Sequence, residues 1–128
     1  MQDEDVNWHT NDTYDLSYVN EASVSALCGY YDLFRERGGT VLFSFAPHNY
    51  DSLSGSCIAA KSWKAYEDRL KEMLGMHGYS VISRAKDYIY NGRYFFDNDY
   101  HLNDGGTVLR TKQLIEDLQQ VFAAQAHE

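Results

Sequence analysis

Apolar positions along this chain change period several times, and each change marks an element. Val24, Leu27, Cys28, Tyr31 and Phe34 recur at helical spacing, which predicts a helix from about Asn20 to Arg37. Asn20 suits its N-cap, Arg35 and Arg37 place cations in its last turn, and Gly38-Gly39 supplies a left-handed ending. Thr40 to Ala46 is a nearly continuous apolar run, the pattern of a strand covered on both faces, and Pro47 is expected to stop it. His48 to Gly55 reads as a polar, exposed loop. A second helix is expected from Ser56 to about Met76, with Ala59, Trp63, Tyr66, Leu70 and Met73 on one stripe. Lys61, Lys64, Glu67, Asp68, Lys71 and Glu72 form its polar face, and His77-Gly78 closes it. Tyr79 to Ser83 reads as the next strand, and residues 84–96 as a connection rich in aromatics. The last helix starts near Asn103 or Asp104 and offers Thr111, Leu114, Ile115, Leu118, Val121 and Phe122 as its buried face.

Strand, helix and strand with short joins form a βαβ unit, whose strands should be parallel and whose crossover should be right-handed. The chain has 128 residues, enough for one domain with a core. Residues 1–19 are polar and turn-rich and read as an N-terminal arm. Residues 20–128 read as a single α/β domain. Two parallel strands leave an unpaired outer edge. Either the arm adds a strand, a second copy pairs there as a homodimer, or the chain is part of a larger α/β domain.

Composition narrows the partners. The formal net charge of −8 argues against nucleic acid, which needs a basic stripe. No segment has the apolar length of a membrane span, and the acidic start Met1-Gln2-Asp3-Glu4-Asp5 is unlike a signal peptide. The five histidines are scattered and the two cysteines, Cys28 and Cys57, match no metal spacing, so no metal is expected. Buried free thiols are the default for both cysteines, with a disulfide left open. No phosphate loop or dinucleotide fingerprint appears, so no cofactor is expected. The eleven tyrosines suit half-exposed edges, clefts or carbohydrate-facing surfaces, because the ring buries area while its tip stays wet.

The candidate chemistry lies between Phe95 and Leu118. Asp97, Asp99 and His101 share a short loop, and Asn103 follows as the cap of the last helix. An acid a few residues before a histidine can hold the imidazole in one tautomer, as in the Asp/His end of a hydrolase triad. The competing reading is that these are solvated turn residues, which Asp and Asn commonly are.

The block Tyr94-Phe95-Phe96-Asp97-x-x-Tyr100-His101-Leu102-Asn103-x-x-Gly106-x-x-x-Arg110-Thr111-x-x-Leu114-Ile115-x-Asp117-Leu118 resembles the C-terminal part of SGNH/GDSL-type hydrolases. More narrowly, it resembles the bacterial branch with a Tyr-His-Leu-Asn signature. Val41 to Pro47 and Lys86-Asp87-Tyr88 are similar to that branch too, so the resemblance covers most of residues 20–122. It implies a three-layer α/β/α fold with a small, mainly parallel sheet, a partial SGNH/flavodoxin-like architecture. It also implies serine esterase or acyl-transfer chemistry on an acylated carbohydrate or small ester, with His101 as general base and Asp97 as its orienting acid. Full-length relatives are often envelope-associated.

Two departures qualify the likeness. The family spaces its acid and base as Asp-x-x-His, whereas Asp97 lies one residue further from His101 and Asp99 one nearer, so either acid is open. The family's Gly-Asp-Ser nucleophile block is not recognisable. Asp51-Ser52-Leu53 spells part of it, but Tyr50 replaces the glycine, and Ser52 reads better as a loop serine than as a nucleophile. Ser44, inside a strand, is a poorer candidate still. The expectation is therefore the C-terminal portion of an SGNH-type esterase, inactive alone. The alternative is a non-catalytic binding or assembly module on the same scaffold.

Overall fold

Helix ends are where this chain follows its sequence most closely. A computed structural model describes residues 20–50, 60–97 and 100–127, with α1 at Glu21–Glu36, β1 at His48–Asn49, α2 at Ala60–Met76, β2 at Ile89–Tyr90 and α3 at Asp104–Gln125. The expected arm at 1–19, Ser52, Cys57, Ala59, the side chain of Trp63 and Asp99 lie outside the described residues. Asn20 accepts the Ser23 N–H at 2.7 Å and so satisfies one of the orphan donors of α1. At the other end Gly38 takes φ 87°, and the N–H groups of Gly38 and Gly39 donate to the carbonyls of Arg35 and Phe34. α2 closes in the same way: Gly78 takes φ 79°, and the N–H groups of Gly78 and Tyr79 donate to Gly75 and Leu74.

The strands are parallel, as the βαβ pattern predicts, but they lie further along the chain than expected. Phe43 bridges Val81, and beyond it His48 pairs with Ile89 and Asn49 with Tyr90. The second strand therefore spends eight residues where the first spends five, and the 3₁₀ turn Ala85–Tyr88 takes up the surplus. Pro47 does not stop the first strand. It lies between the two pairing points, where the missing N–H costs no ladder bond. His48 does not open an exposed loop either, since Asn49 is 1% exposed. The connection at 84–96 carries β2 and a second 3₁₀ turn, Gly92–Tyr94, whose Arg93 N–H donates to the Asn91 side chain.

Two small apolar clusters hold these elements together. Cys28, a buried free thiol, packs with Leu74 and Tyr79, flanked by Val24, Tyr31, Val41, Phe43 and Val81. Phe45, Ala85 and Tyr88 form the second cluster with Tyr66, Leu70 and again Val81. The rings of Tyr31, Phe43 and Tyr79 meet edge to face with centroids 5.4–6.2 Å apart, a geometry that adds about 0.5–1.5 kcal/mol per pair beyond burial.

Polar side chains complete the packing where the period alone predicts otherwise. Glu67, expected on the polar face of α2, is buried; its carboxylate accepts the Ala85 N–H at 3.0 Å and Lys71 at 2.5 Å. On α3 the expected apolar face is only half covered, with Thr111, Ile115 and Phe122 exposed. The buried residues of that helix are Gly106 and Asp117. Asp117 Oδ2 accepts the hydroxyls of Ser83 at 2.6 Å and Tyr88 at 2.7 Å, and Oδ1 accepts Gln113 at 3.0 Å. Because the Ser83 proton is committed to Asp117, Ser44 is the donor in the 2.9 Å contact between the two serines. Burial is the first cause that raises the Tyr88 phenol, and its bond to Asp117 is the second.

Candidate functional site

The Asp/His stretch folds as a small hairpin set on the start of α3. Phe95 bridges Leu102 in antiparallel sense, the Phe96 N–H donates to the His101 carbonyl at 2.9 Å, and the Asn103 N–H to Tyr94 at 2.8 Å. Asn103 fastens both sides: its Oδ1 accepts the Gly106 N–H at 3.0 Å, and its Nδ2 donates to the Arg93 carbonyl at 2.7 Å. Phe95 is buried beneath the hairpin. Gly106 lies so close that a Cβ there would fall 2.5 Å from the Tyr94 carbonyl oxygen.

Across the hairpin tip His101 Nδ1 lies 3.0 Å from Asp97 Oδ1. A carboxylate only accepts, so Nδ1 carries the proton and Nε2 is the basic nitrogen. Both side chains are open, His101 at 66% and Asp97 at 71% exposure. A polar contact this exposed contributes about 0–1 kcal/mol to folding, so it orients the ring rather than holding the loop together. Asp97→Ala is expected to return His101 to the Nε2–H tautomer that an untethered imidazole favours, read from ring nitrogen–proton correlations at neutral pH. Asp99→Ala should leave the tautomer unchanged; the opposite pattern would assign the orienting role to Asp99.

His101 faces a cleft of about 470 Å³, bordered on the loop side by Pro47, Tyr100 and Leu102. The α3 side contributes Thr107, Arg110 and Thr111, which share one helix face. The His48 ring meets Tyr100 edge-on at 5.3 Å, while its Nδ1 donates to the Ala46 carbonyl at 3.0 Å. The cleft thus borders the chain at Pro47, just before β1. Sequence reasoning does not single out His48 or Arg110 for this cleft. The spacing of Thr107, Arg110 and Thr111 marks a common face but not what it looks onto.

Tyr90, at the end of β2, buries its phenol, and among the described residues the hydroxyl has no hydrogen-bond partner. Burial pushes its pKa up to about 12, with Arg110 nearby pulling the other way. The unfolded phenol titrates near 10, so it loses its proton first as pH rises. The Tyr90 contribution to stability is therefore complete below about pH 10 and is lost as pH climbs towards about 12. Tyr90→Phe should flatten that alkaline decline in urea melts and leave neutral stability level or slightly raised. A variant whose decline matches the wild type would show that other groups cause it.

Among the described residues, no three histidine, cysteine or carboxylate side chains come together to hold a metal, and no helix is long and apolar enough to cross a membrane. Comparison with family models, curated proteins and solved structures finds no match to this chain.

Proposed function

We propose that this chain is the C-terminal part of an SGNH-type serine ester hydrolase, with His101 as general base and Asp97 as its orienting acid, and that it is inactive alone. The supporting observation is the 3.0 Å Asp97–His101 hydrogen bond at the edge of a cleft. It arises inside the block that carries the resemblance, and it makes Nε2 the nitrogen that takes the nucleophile's proton. The reading extends the mixed helix and strand fold to a three-layer α/β/α domain whose remaining strands and Gly-Asp-Ser serine come from sequence outside residues 20–127. Its substrate class is an acylated carbohydrate or small ester.

The test has two parts. The isolated chain should hydrolyse short acyl esters no faster than its His101→Ala variant. The reading frame should encode a Gly-Asp-Ser block upstream, and the longer protein should lose about ten-thousandfold in kcat on His101→Ala or Asp97→Asn. Serine-dependent turnover by the isolated chain would refute inactivity and return attention to Ser52. A frame without the block would remove the hydrolase reading.

A second reading, a non-catalytic binding or assembly module, is favoured by the exposure of Leu27, Tyr30, Leu33 and Phe34 on α1. It predicts a dimer through the sheet edge or this helix face. A sedimentation coefficient independent of concentration would count against self-association.

A further inference from the structure

Among the described residues, the cation on the α3 wall of the cleft has no matching carboxylate. The chain carries 19 acidic and 11 basic residues, so carboxylates are in surplus. Arg35, Arg69 and Arg84 each lie within 4 Å of one: Asp32 at 3.9 Å, Glu21 at 2.9 Å and Glu72 at 3.0 Å, and Asp87 at 2.8 Å. Arg93 lies over the Tyr94 ring and donates to its hydroxyl. Arg110 differs from all of these. Its side chain is half-buried, and among the described residues it forms no ion pair, and its buried Nε has no hydrogen-bond partner. A fully exposed cation such as Arg37 is satisfied by water, whereas a guanidinium drawn into the protein ordinarily has a partner.

The surroundings of Arg110 suit an anion. The described residues lining the cleft include no carboxylate, and Thr107 and Thr111 bring hydroxyl donors on the same helix face. The Tyr90 hydroxyl, near enough for Arg110 to act on its titration, is a second buried polar group without a partner among the described residues. The neighbouring His101 adds an imidazole on the loop side. Guanidinium with flanking hydroxyls is the donor set that holds an oxyanion, because its planar fork matches two oxygens at once.

We infer that Arg110 binds an oxyanion, a carboxylate or phosphate group, carried by the ligand of this cleft, with Thr107 and Thr111 as secondary donors. For the ester hydrolase this makes the substrate an ester with an anionic substituent, and only that step rests on the proposed activity. Binding itself needs no nucleophile and is measurable on the chain alone.

The experiment titrates sodium acetate and sodium phosphate into labelled protein, against sodium chloride at matched ionic strength, and follows the Arg110 Nε–H and the Thr107 and Thr111 amide resonances. A saturable shift with either anion is expected, and the tighter one identifies the group. R110Q should abolish the response. R110K, which keeps charge but loses the fork, should weaken it about tenfold, the loss of one charge-assisted contact, and it supplies the reading if R110Q does not fold. No saturable shift beyond the chloride control, or a Gln variant that titrates like the wild type, would overturn the inference. Neither outcome bears on the hydrolase test, which is read from turnover on His101→Ala.

Discussion

Asp117→Ala is expected to lower folding stability by about 3 kcal/mol, the range for removing a buried group that leaves its partners unmatched. Asp117 is 5% exposed and accepts from Ser83, Tyr88 and Gln113. Alanine leaves two hydroxyls from the strand region facing a void, and the Ser44–Ser83 contact loses the acceptor that sets its direction. The loss should appear in urea melts as a lower midpoint with an unchanged slope. Asp117→Asn, which keeps the shape and one acceptor, should cost less, about 1–2 kcal/mol. Tyr88→Phe should cost about 1 kcal/mol, because Ser83 and Gln113 still reach the carboxylate. An alanine variant within about 0.5 kcal/mol of wild type, the size of a neutral surface change, would mean the cluster is not what fastens α3.

The second large effect concerns neighbouring glycines with opposite outcomes. Alanine for glycine inside a helix normally stabilises by about 0.5–1 kcal/mol. Gly105→Ala should follow that rule, since its nearest Cβ contacts are ordinary at 3.5 Å. Gly106→Ala should reverse it and destabilise by about 1–3 kcal/mol, the usual range for overpacking. Its Cβ would meet the Tyr94 carbonyl oxygen at 2.5 Å and Leu102 Cδ2 at 2.8 Å. That same carbonyl accepts the Asn103 N–H, so the hairpin must open for the methyl to fit. Thermal melts give the sign of each change, and the His101 ring resonances show whether Asp97 stays in reach. Equal effects at the two positions would refute the close approach.

Helix boundaries were legible because they are local. Asn20, Asn103, Gly38 and Gly78 act through bonds to residues only a few places away. That an acid of this loop can reach His101 was legible for the same reason, but the spacing left Asp97 and Asp99 both open, and the contact described is with Asp97. What the pattern missed is set by distant partners. Glu67 belongs to a charged stripe in any periodic reading, and only the Ala85 N–H explains its burial. The apolar stripe of α3 suggested a conventional buried face, yet Asp117 lies between Leu114 and Leu118 and carries the contact instead. β2 is two residues long and sits within aromatics that show no alternation. Pro47 looks like a stop because its effect on a strand depends on where the partner's hydrogen bonds fall. Arg110 joins the cleft only once the chain near Pro47 is packed against α3.

The hairpin's fastenings have a consequence for descent. Asp97, His101 and the Asn103 cap all fall between Arg93 and Gly106, and the hydrogen bonds described for them start and end there, while the Tyr100 ring reaches out to His48. The pair is therefore a portable cassette. It can keep its shape while the sheet beside it gains or loses strands.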